Sequence, residues 1–283
     1  MIYFCADDYG VSKQCNSRIE NCLKNSVLNK VSILVNGEIA DFKNHLQKDE
    51  VKLSLHLNLV EGYPISDKSD VDLLITKQGN FKYSFIGLFL LSLFKKKKLK
   101  KQLYTEIKNQ INLWQTYMGD IPILIDSHQH THMIPLVFKT LMQVIKDQNV
   151  LVENLRFPAE PIMPYLLAPS LYFYYISTGS IKQCLLNVLA IVNAKELKKA
   201  KVSFGYFMGV MLSGKMTEKK IKKLLPRYLR IAKKHNRDIE ITLHPGYLKD
   251  GEHLIKGCRK SFEKFYFSAW RKKEYDALMN FNA

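Results

Sequence analysis

Four places in the sequence end an apolar run with side chains that can hold a cation or move a proton. Asp7-Asp8-Tyr9-Gly10 follows the run 2–6, and His56 sits inside Leu53-Ser54-Leu55-His56-Leu57-Asn58-Leu59. Asp126-Ser127-His128-Gln129-His130-Thr131-His132 follows the run 121–125, and His244-Pro245-Gly246-Tyr247 follows 239–243. Adjacent acids leave the backbone in different directions, so one can ligate a cation while its neighbour faces a bound water as base. Three of the eight histidines fall within five residues, which a structural role explains poorly. Imidazole is the commonest ligand for zinc and neighbouring divalent ions.

Spacing limits how many of those three histidines can share an ion. Extended residues two apart are separated by roughly 6.6 Å, whereas ligand nitrogens each lie about 2.1 Å from one zinc. At most one or two of the three can therefore be ligands, unless a helical turn brings His128 and His132 onto one face. His128, nearest the strand end, is the expected ligand, and His130 or His132 is left for substrate or for a supporting contact. Asp126 is placed to orient an imidazole, as metal-bound histidines require. His244 can act as a general acid because its ordinary pKa lies near working pH. Arg156, after the short segment 153–155, is a partner for Asp7, or else a surface ion pair. Taken singly, an Asp-Asp turn reads as a helix cap and a lone core histidine as bonded to a carbonyl. The repeated structural address, the carboxyl end of an apolar strand, is what argues for one site.

The elements that must position these groups alternate. Apolar runs at 2–6, 32–35, 53–57, 121–125, 201–204 and 239–243 read as buried strands. Segments 16–25, 135–146, 217–235 and 261–279 carry apolar residues at helical spacing. That alternation predicts an α/β fold with a mainly parallel sheet, either a barrel or an open doubly wound sheet. With 283 residues and no linker or repeat, a single domain over 1–283 is expected. Stretches near 83–118 and 161–200 stand outside the pattern as helical insertions.

A formal charge of +17 favours anionic partners. The lysine runs lie on stretches that read as solvated helix, and few aromatics interleave with them, so no nucleic-acid partner is expected. Segment 84–101 runs from an apolar stretch into the lysines at 95–98. Its apolar part is shorter than the roughly 20 residues of a spanning helix, so it is a lid over the site or a peripheral anchor on an anionic membrane. Five cysteines without a C-x-x-C pair exclude a disulfide framework and a thiolate zinc site, and suit a reducing cytoplasm. The first residues lack a basic region and reach carboxylates too early to read as a secretory signal. A weakly held homo-oligomer is expected.

At these residues the chain resembles the YdjC-like carbohydrate deacetylases, the family that includes diacetylchitobiose deacetylase. Ala6-Asp7-Asp8-Tyr9-Gly10 is similar to that family's opening acid motif, Ser32-Ile33-Leu34-Val35-Asn36-Gly37 to its second strand, and Leu55-His56-Leu57-Asn58-Leu59 with Glu61-Gly62 to its first histidine motif. The segment from Asp126 to His132 resembles the second histidine motif, Gly205-Tyr206-Phe207-Met208-Gly209 a later substrate-side segment, and His244-Pro245-Gly246-Tyr247 the last motif. The resemblance implies a single distorted β/α barrel of TIM-like type and a divalent cation, magnesium or zinc, held by Asp8, His56 and His128. It makes Asp7 the base and His244 the acid, with Tyr9, Asn58, Asp126, His130, His132 and Arg156 as contacts to substrate or to those groups. The implied reaction removes an N-acetyl group from an acetylated amino sugar, oligomeric or lipid-linked. Tyr9 stands where Phe is more usual, and 161–200, which would line the sugar cleft, matches poorly. The rivals are a metal-dependent hydrolase of another bond, such as a phosphoester, and a basic protein that binds a membrane surface.

Overall fold

Alternation of side chains along short strands builds this sheet, and it gives the two faces opposite chemistry. The structure is a computed structural model describing residues 1–40, 42–46 and 50–281. Its strands are β1 (Ile2–Tyr9), β2 (Lys30–Ile33), β3 (Lys52–Leu57), β4 (Ile123–Ser127), β5 (Val152–Leu155), β6 (Tyr206–Met208) and β7 (Ile239–Leu243). They form one seven-stranded, all-parallel sheet in the order β5-β4-β3-β2-β1-β7-β6. Successive residues point to opposite faces. Phe4, Ala6, Val31, Ile33, Leu55, Ile125, Ile241 and Leu243 belong to the hydrophobic core that packs under the helices. Their strand neighbours Cys5, Asp7, Lys30, Ser32, Ser54, His56, Asp126, Glu240 and Thr242 are equally buried but polar.

The helices cover the apolar face and carry the connections. They are α1 (Lys13–Asn25), α2 (Phe42–Leu46), α3 (Phe85–Phe94), α4 (Lys96–Met118), α5 (Pro135–Asp147), the short α6 (Met163–Leu166) and α7 (Tyr172–Tyr175), α8 (Thr178–Ala200), α9 (Glu218–His235), α10 (Lys260–Tyr266) and α11 (Ala269–Met279). Ser12 caps α1 by accepting from the Cys15 N–H. The two expected helical insertions are α3 with α4, and α6 to α8. The single helix expected over 261–279 breaks into α10 and α11.

A closed TIM-like ring does not form. β5 and β6 stand at the two ends of the strand order, and between their segments the backbone is joined from the Leu155 N–H to the Ser203 carbonyl, at 3.0 Å, without a ladder. The sheet is a curled half-barrel. The strand expected at 201–204 falls instead at Tyr206–Met208, and the four-residue β5 has too polar a sequence to announce itself.

The concave face is filled by ions, where most β/α barrels stack branched apolar side chains. Arg156, completely buried, donates through Nη1 and Nη2 to both oxygens of Asp7 at 2.7 and 2.8 Å, and through Nε to Glu240 at 2.6 Å. Lys30 reaches the other Glu240 oxygen at 2.8 Å. Ser32 and Ser54 donate to one oxygen of Asp126 at 2.7 and 2.8 Å, and the other accepts from His56 Nδ1 at 2.5 Å. Removing one partner of a buried pair strands the other charge in a poorly hydrated interior. Lys30→Met is therefore expected to lower unfolding free energy by about 3–5 kcal/mol in a urea titration. A loss below about 1 kcal/mol would contradict a buried, mutually dependent network.

Candidate active site

Backbone strain at the end of β1 separates the two acids. The register of β1 against β2 slips between Ala6 and Tyr9, and Asp8 takes a left-handed φ of 72°. That conformation costs a non-glycine residue about 1–3 kcal/mol and is held only where the surroundings fix it. Its consequence is directional: Asp7 turns into the ionic network, and Asp8 turns toward two histidines.

Asp8 Oδ1 lies 2.8 Å from His128 Nδ1 and 3.4 Å from His56 Nε2. Its Oδ2 accepts from Tyr266 Oη at 2.7 Å and Arg271 Nη1 at 3.1 Å. One ligand atom from each of Asp8, His56 and His128 falls within 4.8 Å of the others, and all three residues are buried. The buried Nε2 of His128 has no hydrogen-bond partner among the described residues. A carboxylate oxygen with two imidazole nitrogens is a donor set that fits a divalent cation. Cys5, Asp7 and Asp126 also cluster within 4.8 Å, but a cation already serves them, since Arg156 Nη2 approaches all three at 2.8 to 3.2 Å.

His56 is held from below by Asp126. Burial alone would push its pKa down, but the carboxylates of Asp7 and Asp126 outweigh that and raise it to about 10. Burial likewise opposes ionisation of Asp7, and the Arg156 guanidinium overcomes it, holding the carboxyl below its ordinary value. Asp7 is thus a carboxylate, with Arg156 on both oxygens.

The three clustered histidines diverge. After β4 the chain makes a 3-10 turn, His128–Met133, in which Gln129 and His130 are left-handed at φ 54° and 60°. This geometry is neither the extended spacing nor the helical face weighed from the sequence. His132 turns away from the ligand cluster: Ser127 Oγ lies 2.5 Å from its Nδ1, and its Nε2 donates to the Arg156 carbonyl at 2.8 Å. Burial lowers its pKa to about 4, so it is a neutral strut under Arg156. His130 packs edge-on against Phe207 at 5.5 Å. Burial, then the charges of Lys182 and Arg156, keep it neutral too, and its Nδ1 has no partner among the described residues.

His244 stands partly open at the end of β7. The Glu274 carboxylate of α11 accepts its backbone N–H at 2.7 Å, lies 3.3 Å from its Nδ1, and also accepts from Gly214 N. Tyr9 and Asn58 point elsewhere. Tyr9 donates to Glu20 at 2.7 Å, and Asn58 accepts from the Val60 and Glu61 N–H groups and donates to the Glu61 carbonyl, shaping its own loop.

Sequence reasoning missed Lys30, Glu240, Tyr266, Arg271 and Glu274. Glu240 had a readable signal, an acid alternating with Ile239 and Ile241 inside a strand. The other four carry none that singles them out.

Residues 1–282 match the family model described as YdjC-like protein. The chain belongs to that family. It is 31% identical over 156 residues to a carbohydrate deacetylase of Danio rerio, covering 55% of this chain and 49% of that protein. It is 29% identical over 154 residues to a carbohydrate deacetylase of Clostridium beijerinckii, covering 53% and 58%. These alignments span about half the length of the curated relatives. A crystal structure of a candidate cellobiose-phosphate cleavage protein from Enterococcus faecalis shares the fold, with a TM-score of 0.67 over 98% of this chain and 90% of that one at 17% identity.

Cation titration by calorimetry tests the ligand cluster. Asp8→Ala is expected to abolish binding of zinc. Asp126→Ala, which frees the His56 ring, is expected to weaken it by about 10–100-fold. Unchanged affinity in both variants would place the cation elsewhere.

Proposed function

We propose that this protein is a metal-dependent carbohydrate deacetylase, hydrolysing the N-acetyl group of an acetylated amino sugar to acetate and a free amine. The observation that carries the reading is the meeting of Asp8, His56 and His128 within 4.8 Å, beside a buried, ionised Asp7. Family membership and the relatives named carbohydrate deacetylase support the sugar amide over other bonds.

Asp8, His56 and His128 would hold magnesium or zinc, and such an ion supplies Lewis acidity and a water of lowered pKa. Asp7 takes a proton from the attacking water on a lone pair that Arg156 leaves free, since a carboxylate offers about four acceptor positions. Arg156 keeps Asp7 deprotonated and fixes its plane. Addition of water to the acetamide carbon makes a tetrahedral centre, and breaking its C–N bond expels an amine, a poor leaving group until protonated. His244, steadied by Glu274, donates that proton. His130, neutral and beside Phe207, would contact the sugar. The free cysteines suit a reducing cytoplasm.

Acetate release from N-acetylglucosamine oligomers is expected to stop on chelation and return with added divalent cation. Turnover indifferent to the chelator would remove the metal from the scheme. Asp7→Asn is expected to lower kcat by about 10²–10⁴-fold with cation affinity retained, and wild-type turnover in that variant would take Asp7 out of the chemistry.

A further inference from the structure

Among the helices that expose apolar residues, α3 and α8 each carry an apolar stripe that leads into lysines. Toward the body, α8 buries Gln183 and Asn193 with Leu186, Leu189 and Leu197, and the two amides bond the Pro158 and Met133 carbonyls. Its outer stripe, at helical spacing, includes Ile181 and Ile191, which are 74% and 77% exposed. That stripe runs down to exposed Lys195, Lys198 and Lys199. Just before α8, Phe173 and Ile176 are 84% and 86% exposed. α3 repeats the pattern: it buries Leu88 and Ser92, exposes Leu93 and Phe94 at 60% and 80%, and continues into the exposed lysines at 95–98. Both helices pack against the 3-10 turn that carries His128.

An apolar stripe ending in lysines on each of two helices beside one site marks an interaction surface. Charge selects the occupant. A second copy would set another +17 and its own lysine clusters against these, whereas an anionic leaflet neutralises them while accepting the apolar stripes. Depth is limited. Among the described residues no single helix is long and apolar enough to cross a membrane, and the pair Pro169–Tyr175 and Thr178–Ala200, which together meet that length and composition, is bent by 91°. That shape suits lying along an interface.

We propose that the outer stripes of α3 and of α7 with α8 dock this protein on the surface of a bilayer rich in anionic lipid. Resting on the deacetylase reading, docking there brings the site beside acetylated sugars carried on lipid. The test is sedimentation with vesicles of phosphatidylcholine, with and without phosphatidylglycerol. The protein is expected to pellet with the anionic vesicles at low salt, and to stay in solution with the neutral ones and in high salt. Ile181→Asp/Ile191→Asp and Leu93→Asp/Phe94→Asp are each expected to cut vesicle binding roughly tenfold, with thermal melting and acetate release from soluble sugars unchanged. No pelleting with anionic vesicles, or wild-type pelleting by both variants, overturns the proposal. So does a dimer in vesicle-free solution that these variants dissociate, because the stripes then serve a second copy. Vesicle binding is read without catalysis, so failure of the deacetylase reading leaves it standing, and its own failure leaves turnover intact.

Discussion

Arg156 is the cation on which the interior depends. Three carboxylates, Asp7, Asp126 and Glu240, occupy the concave face of the sheet, where each alone would be too costly to bury. Arg156 lies against all three and Lys30 completes Glu240. Two permanent cations facing three anions leave one negative charge, and the environment meets it at His56, whose imidazole holds a proton to about pH 10. A divalent cation held as proposed by Asp8, His56 and His128 would supply positive charge there in place of that proton. The network thus sets the ionic state of Asp7 and the orientation of His56 together.

Above this network, strained backbone turns sequence neighbours to different tasks. The left-handed Asp8 lets consecutive acids face an arginine and a pair of histidines. The left-handed Gln129 and His130 similarly send His128 to Asp8, His130 to Phe207 and His132 beneath Arg156. Later elements then close on the same groups: α10 and α11 bring Tyr266 and Arg271 to Asp8 and Glu274 to His244. Almost the full chain length is needed to finish the site.

The site's centre was legible in the sequence because polar residues that end apolar runs sit where parallel strands collect reactive groups. The strand ends bearing Asp7-Asp8, His56 and His128 come together as that rule implies, the choice of Asp8 over Asp7 having come from the family resemblance, and Asp126 bonds an imidazole, that of His56. The polar interior was obscured by reading the strands as continuously apolar, although Glu240 and Thr242 alternate with isoleucine and leucine. The closed ring was over-read, because closure depends on edge strands of four and three residues with little local pattern. The roles of His130 and His132 depend on two left-handed residues, and no side-chain pattern announces those. Tyr266, Arg271 and Glu274 lie on segments whose amphipathic spacing records their helices and nothing of what they reach.

The central claim is that one cation binds where Asp8, His56 and His128 meet. X-ray absorption at the zinc edge of the loaded protein, compared with the His56→Ala and His128→Ala variants, measures it directly. The account predicts only oxygen and nitrogen neighbours at about 2.0–2.2 Å, with the signature of two imidazoles that drops to one in each variant. A sulfur neighbour at about 2.3 Å, pointing to Cys5, or imidazole scattering that neither substitution changes, would contradict it.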